Sequence, residues 1–315
     1  MMKKQILVLF DLLLEQFDEM KELAFEHEFI YSIEEIDVER LEVIIGWTNE
    51  LTAIIEKDAS IVKWVQYPYA GVNTLPLALF EEKGISLTNG SGIHTYAVSE
   101  SAIGLLLSMT RNIVTSAKYQ AQGKWQKTSN FYELFGKTMM IVGTGKIGIH
   151  LGQIAKGFGM QTIGINRSGR TVKNMDKQYV QKDLLEVIHE ADIIVNILPA
   201  TKETKQLFNT EMFSKMKEDT MFINVGRGET VDTDALLAAL DNDTLLFAGL
   251  DVFEEEPLVE GHPLWKHEKV ILTPHIAGNV ESYPKHFYPI IKKNLEAFLS
   301  NKELPENLVE LENGY

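Results

Sequence analysis

The run Thr138-Met139-Met140-Ile141-Val142 passes directly into Gly143-Thr144-Gly145-Lys146-Ile147-Gly148. A strand-like run ending in G-x-G-x-x-G before a helix-forming stretch is the pattern of a turn that cradles a dinucleotide pyrophosphate. Gly143 permits the tight turn. Gly145 lets the backbone approach the phosphates, and Gly148 lets the helix pack on its strand. The helix start adds free N–H groups and a partial positive charge. The run is not a P-loop, because Ile149 stands where that motif has Lys.

A site for NAD usually carries Asp or Glu about 20 residues after the glycines, bonded to the ribose. Here the next strand-like run ends Ile163-Gly164-Ile165-Asn166-Arg167-Ser168-Gly169-Arg170, with Lys173 close behind. Asn166 takes the place of the acid. An acid would repel a 2′-phosphate, whereas Arg would pair with it. One charge-assisted hydrogen bond contributes about 1.5–3 kcal/mol, enough for about tenfold preference or more. A solvated basic loop would read the same way. The reading is therefore NADP(H), with NAD(H) as the alternative, and Arg167 and Ser168 as the phosphate ligands.

Three more stretches fall at the ends of predicted strands, where open α/β sheets place their ligands. They are Asn224-Val225-Gly226-Arg227-Gly228, then Asp251-Val252-Phe253-Glu254-Glu255-Glu256-Pro257, then Thr273-Pro274-His275-Ile276-Ala277-Gly278. In this order they resemble the arginine, D-V-F-x-x-E-P and T-P-H-I-A-G motifs of the D-isomer-specific 2-hydroxyacid dehydrogenases. Leu198-Pro199-Ala200-Thr201 with Thr204 resembles the family's segment beside the cofactor. His262-Pro263-Leu264-Trp265 resembles the run before the histidine strand. Tyr69-Ala70-Gly71-Val72-Asn73-Thr74-Leu75-Pro76 resembles the family's S-A-G-V-D-x-L-P loop. The resemblance covers nearly the whole chain and points toward glyoxylate/hydroxypyruvate reductase-like members.

The resemblance implies a hydride transfer between the cofactor and a small 2-keto acid or its D-2-hydroxy acid. Arg227 would bind the acid's carboxylate and polarise its carbonyl with a planar fork of donors that Lys lacks. His275 would give or take the proton, and Glu256 would orient its ring. The family's pattern selects Glu256, just before the proline, over Glu254 and Glu255, which read as a solvated acidic turn. Val225, Gly226, Leu198, Pro199, Thr204 and Gly278 would line the cofactor. Asp251 would contact the nicotinamide or its ribose, with a strand-end cap as the other reading. The amides of Ala70, Gly71 and Val72 would hold the substrate carboxylate and need no side chain to do so. Tyr69 replaces a small polar residue and Asn73 an Asp. Tyr69, Trp47 and Tyr283 could wall the substrate side chain or simply pack. Phosphoglycerate or D-lactate dehydrogenation is the alternative chemistry, and a nucleotide-sensing binding protein the alternative class.

The elements that must position these residues alternate. Apolar runs predict strands at 6–10, 43–46, 61–66 and 86–88, with helices at 12–27, 51–57 and 75–83. A long helix is expected at 96–117 and an irregular stretch at 112–136. Strands follow at 138–142, 161–165, 193–197, 221–225, 246–250 and 270–272, with a helix at 147–158 and a last one at 280–300. Strands separated by helices imply parallel sheets covered on both faces. The expected fold class is α/β, with two doubly wound parallel-sheet domains meeting at a cleft. The resemblance makes them a Rossmann cofactor domain (96–285) inserted in a flavodoxin-like substrate domain (1–95 plus 286–315). It also implies a homodimer, with 96–125 as the region of its interface.

Composition narrows the partners. The 315 residues, 45% hydrophobic and 24% charged, suit about two globular domains. A net charge of −15 speaks against nucleic acid or an anionic membrane, both of which reward a basic face. With no cysteine there is no thiolate metal site or disulfide, and no metal is expected. Asp11 cuts the first apolar run short, so that run reads as a buried strand rather than a signal peptide. No run reaches the length of a membrane span. The expectation is a cytoplasmic enzyme.

Overall fold

The computed structural model describes residues 2–72 and 74–311, so the Asn73 replacement lies outside the described residues. The chain divides into two compact units, Met1–Ile93 with Val280–Tyr315, and His94–Asn279.

The first unit runs β1 (Gln5–Val8), α1 (Leu14–Leu23), β2 (Glu28–Ile30), β3 (Leu41–Ile45), α2 (Leu51–Ile55), β4 (Trp64–Gln66), α3 (Leu77–Lys83) and β5 (Ser86–Thr88). All five strands pair in parallel in the order β2-β1-β3-β4-β5. This is the 2-1-3-4-5 order of flavodoxin-like sheets. Side chains of a strand alternate between faces. Leu7, Ile44, Val65 and Leu87 therefore enter one core, while Ile6, Val8, Val43, Ile45 and Trp64 enter the other. Both faces are covered, so β1 and β3 are buried along their whole length and are apolar apart from Gln5 and Glu42.

The second unit opens with α4 (Thr95–Thr110) and α5 (Ile113–Ala121). The single helix expected at 96–117 is thus two. Asn112 between them has φ +54, and its amide donates to the Ser129 and Asn130 carbonyls. Asn tolerates this left-handed conformation, which a continuing helix forbids. There follow β6 (Thr138–Val142), α6 (Lys146–Gly157), β7 (Gln161–Asn166), β8 (Lys177–Val180), α7 (Leu184–Val187), β9 (Ile193–Asn196), α8 (Thr210–Ser214), β10 (Thr220–Asn224), α9 (Thr233–Asp241), β11 (Leu245–Leu250) and β12 (Val270–Leu272). The seven strands are parallel in the order β12-β11-β10-β9-β6-β7-β8. Counted from β6 this is the Rossmann order 3-2-1-4-5-6 with one strand added. The order reverses between β6 and β9, and open sheets bind ligands at such a reversal.

The last helix, α10 (Tyr283–Leu299), belongs wholly to the first unit. Phe287, Ile291 and Leu295 bury against Ile6, Val43 and Trp64. A division at 285/286 would cut its first turn, where the Tyr283 and Phe287 rings pack 6.0 Å apart. The unit therefore resumes at Val280. Two edge strands, β2 and β8, have no apolar period to reveal them. Each has one pairing neighbour, and β8 has no fully buried residue.

Candidate active site

The glycine turn joins β6 to α6 at the reversal point. Gly143 has φ +111, and a Cβ there would come 3.2 Å from the Ile197 carbonyl at the end of β9. A Cβ on Gly148 would sit 2.3 Å from the Gly143 oxygen. Around the Cβ position of Gly145 there is no atom within 4 Å. The turn is therefore packed where it must be and open at Gly145, and α6 starts without a side-chain cap. An open glycine at an uncapped helix start fits a pyrophosphate. Lys146 is exposed and Ile147 half-buried at that start.

Asn166 ends β7. Its Nδ2 donates to the Thr144 hydroxyl and to the Arg170 carbonyl, both at 2.9 Å. The side chain thus ties the glycine turn to the basic loop, which an Asp with no N–H could not do. Thr144 is buried. Arg167, Ser168 and Arg170 are exposed on that loop. The Ser168 hydroxyl lies 3.4 Å from Asn166 Oδ1.

At the ends of β9 and β10 a buried polar network holds two more turns. Asn196 Nδ2 donates to Asn224 Oδ1 (3.0 Å) and to the Thr230 hydroxyl (2.7 Å). Asn196 Oδ1 accepts from the Leu198 N–H, and Asn224 Oδ1 from the Gly226 N–H. Asn224 Nδ2 and the Thr230 hydroxyl both donate to the Arg227 carbonyl. This network fixes the arginine turn against the Leu198 turn. Leu198 and Val225 are buried, and a Cβ on Gly226 would strike the Leu198 oxygen at 2.6 Å. Pro199 is exposed. Thr204 uses its hydroxyl inside its own loop, donating to the Pro199 carbonyl at 2.6 Å and accepting from the Thr201 N–H at 2.8 Å.

Arg227 is exposed although its neighbours Gly226 and Gly228 are buried. Its Nη1 donates to the Gly226 carbonyl at 2.8 Å. A Cβ on Gly228 would fall 1.8 Å from the Phe253 oxygen, so only glycine lets the arginine turn lie on the acidic loop. In that loop Glu256 accepts from the Phe253 N–H (3.0 Å) and from the His275 ring, Nδ1 to Oε2 at 2.6 Å. Partial burial pushes the Glu256 carboxyl up. The hydrogen bonds from His275 and Phe253 and the charges of His275 and Arg227 outweigh it and hold the group below the usual carboxylate range. The imidazole is 48% exposed, and its Nε2 has no partner among the described residues. A ring held at one nitrogen and open at the other, with an Arg beside its carboxylate, can pass a proton to a polarised oxygen.

Asp251 is placed differently from the expected cofactor contact. It is 1% exposed, and its carboxylate accepts three bonds, from the Thr273 hydroxyl (2.6 Å) and the Ile276 and Ala277 N–H groups (both 2.9 Å). Its carbonyl also accepts from the His275 N–H at 2.8 Å. His275 itself has φ +52. A left-handed residue costs about 1–2 kcal/mol; the bonds from Asp251 hold the histidine turn there. Gly278 ends the same loop, its carbonyl accepting from His94 Nδ1 at 2.7 Å. Glu254 is no solvated turn residue: it accepts from the Thr233 N–H at 2.9 Å and the Gln206 amide at 3.1 Å.

In the first unit, Tyr69 is 58% exposed, Ala70 and Gly71 are exposed and Val72 is buried. Among the described residues no acceptor meets the N–H of Ala70, Gly71 or Val72. Trp47 packs edge-on against Phe80, 5.2 Å between centroids, and joins the core there. Among the described residues no group of three His, Asp or Glu could hold a metal, and no helix is long and apolar enough to cross a membrane.

The parallel-sheet order, the glycine turn and the ring–carboxylate pair together define a nicotinamide-dependent oxidoreductase. Residues 103–277 match the family model described as D-isomer specific 2-hydroxyacid dehydrogenase, NAD binding domain. A glyoxylate reductase of Thermofilum pendens is 34% identical over 271 residues, covering 84% of this chain and 80% of that protein. A D-isomer specific 2-hydroxyacid dehydrogenase family protein of Aeromonas salmonicida superposes with a TM-score of 0.78 at 31% identity, over 99% of this chain and 100% of the other. An NADPH-dependent glyoxylate/hydroxypyruvate reductase of Sinorhizobium meliloti, solved with NADP and sulfate, gives 0.75 at 25% identity over 99% and 100%. The chain belongs to the D-isomer-specific 2-hydroxyacid dehydrogenase family and is an oxidoreductase.

Sequence reasoning missed Asn196, Thr230 and the buried role of Asn224. Their signal was visible: Asn196 and Asn224 are polar residues closing otherwise apolar strands at the ligand end of the sheet.

Proposed function

We propose that this enzyme reduces a glyoxylate- or hydroxypyruvate-like 2-keto acid to its D-2-hydroxy acid with NADPH. The observation that carries the reading is the 2.6 Å His275–Glu256 bond beside the exposed Arg227. The amides of Ala70, Gly71 and Val72 hold the substrate carboxylate. Arg227 polarises the keto oxygen, and His275 Nε2 delivers the proton to it. Glu256 orients the ring and balances its charge. The nicotinamide, when bound, supplies the hydride. Tyr69 borders the substrate side chain. In the opposite direction neutral His275 takes the hydroxyl proton.

Gly143 to Gly148 hold the pyrophosphate, and Leu198, Pro199, Val225, Gly226 and Gly278 line the cofactor. Arg167 and Ser168 bind the 2′-phosphate. The exposed basic loop supports this choice, as does the NADP in the Sinorhizobium relative's structure. We further propose a cytoplasmic homodimer that uses the 96–125 region, where Tyr96, Ile113 and Trp125 are exposed.

The test is a panel of 2-keto acids, including glyoxylate, hydroxypyruvate, pyruvate and phosphohydroxypyruvate, run with NADPH and with NADH. Oxidation of NADPH with a small unphosphorylated acid is the expected result. Turnover only of phosphohydroxypyruvate would move the enzyme to phosphoglycerate chemistry. No turnover with any acid would favour a nucleotide-sensing role.

A further inference from the structure

The loop that follows β4 is held by its carbonyls. The Tyr283 hydroxyl donates to the Pro68 carbonyl at 2.5 Å. The Gly90 N–H donates to the Tyr69 carbonyl at 3.1 Å, and Asn89 Nδ2 to the Ala70 carbonyl at 2.9 Å. Three consecutive carbonyls are thus turned onto partners from the end of β5 and the start of α10. A trans peptide is planar, so its N–H points opposite to its carbonyl. Pinning these three oxygens aims the N–H groups of Tyr69, Ala70 and Gly71 the other way. The approach is close: a Cβ on Gly90 would fall 1.8 Å from the Pro68 oxygen.

The anchor is itself well held. The Tyr283 ring packs against Phe10 (5.6 Å) and Phe287 (6.0 Å), and the exposed Tyr69 ring lies 6.5 Å away, braced edge-on by Tyr67 at 5.5 Å. Asn89 is buried, and its Oδ1 accepts from the Ser91 N–H. We propose that Tyr283 and Asn89 are positioning residues which, through the Pro68 and Ala70 carbonyls, set the Tyr69 and Gly71 peptides and so preset the start of the 69–72 loop as a carboxylate cradle. This rests on the reading of that loop as the substrate's carboxylate site. Burial, with Tyr69 and Tyr67 nearby, pushes the Tyr283 hydroxyl up to about 12, so it stays a donor across any assay range.

Tyr283→Phe removes the bond and keeps the ring. Its KM for the keto acid should rise about threefold to tenfold, the worth of one neutral hydrogen bond. Its kcat and its KM for NADPH should stay within about twofold, because the loop is placed to bind and not to react. Asn89→Ala should act in the same direction. Binding of oxalate, a dicarboxylate that needs no turnover, is measured by calorimetry on each full-length protein. Its affinity should fall in parallel with the rise in KM. Unchanged oxalate affinity in Tyr283→Phe, or a wild type that binds no oxalate, would overturn the cradle. A wild type that binds oxalate but turns over no keto acid would instead count against the proposed reaction and leave the cradle supported.

Discussion

Replacing Arg167 by Ala should separate the two cofactors. Arg167 follows the last residue of β7 and is exposed on a loop tied to the glycine turn through Asn166. A charge-assisted contact to the 2′-phosphate is worth about 1.5–3 kcal/mol. Solvent at an exposed side chain takes the lower end of that range, so the loss is about 1.5 kcal/mol, or about tenfold in NADPH affinity. NADH has no phosphate there and should change less than about twofold. Arg167 also acts on a neighbouring acid. The Glu203 carboxyl is held below its usual range by its own backbone N–H and the Thr201 hydroxyl, with Lys202 and Arg167 adding their charges. That carboxylate competes with the phosphate, which also keeps the expected effect modest. The assay is initial-rate kinetics with each cofactor at saturating keto acid, repeated at two ionic strengths. The screening length shrinks from about 10 Å at 0.1 M salt to about 3 Å at 1 M, so the wild-type preference for NADPH should narrow in high salt. Asn166→Asp should lower NADPH affinity further, since it adds a charge and removes the donors to Thr144 and Arg170. Equal changes for NADPH and NADH in Arg167→Ala would refute the phosphate assignment.

Other changes test the second unit and the first separately. His275→Ala should lower kcat by about 10²–10⁴ while NADPH binding, read by fluorescence, stays unchanged, because the half-exposed ring carries little packing. Asp251→Asn puts an N–H donor against the backbone N–H of Ile276 or of Ala277, whichever way the amide lies. It should destabilise the unit by about 2–3 kcal/mol in urea unfolding and cut kcat about tenfold or more through a displaced His275; a full-rate variant would show that the turn holds itself. Glu42 is buried at β3 and bonded by Lys4 (2.5 Å), Lys63 (2.8 Å) and His27 (3.2 Å). Burial pushes its carboxyl up, but these three partners hold it below the usual range. A lowered folded value means the stabilisation is complete above the unfolded carboxylate's value, about 4.3, and is lost as pH falls through the folded one. Glu42→Gln should cost about 1–2 kcal/mol at neutral pH, given that both lysines are half-exposed. It should also flatten the acid limb of stability below about pH 4.3; parallel wild-type and variant curves would contradict this.

Much of the fold was legible because both sheets are parallel and covered on two faces. Such strands are mostly apolar runs, and β6 and β12 lie where their hydrophobicity does. The glycine motif was legible because its spacing matches the turn's needs: Gly143 and Gly148 sit where a Cβ would crowd the backbone, and Gly145 leaves the turn open. Strands β2 and β8 were not, since neither is buried along its length and neither carries an unbroken apolar run. The break at Asn112 was hidden too, because a helix can hold Asn until distant carbonyls, here those of Ser129 and Asn130, reward the turn.

The candidate site divides in the same way. Residue types and their order along the chain determined by themselves the dinucleotide turn, the missing acid at Asn166 and, by likeness to a family, Arg227, Glu256 and His275. What Glu254 and Asp251 do was decided only by tertiary structure, because hydrogen-bond partners far apart in sequence assign their tasks. Glu256 meets the His275 ring, Glu254 ties the Thr233 turn, and Asp251 spends its oxygens on the histidine turn. Trp47 and Tyr69 read alike in the sequence, yet one lies against Phe80 in the core and the other stands exposed beside Tyr67. Burial and orientation depend on every element packed around a residue, and no local window of sequence contains them.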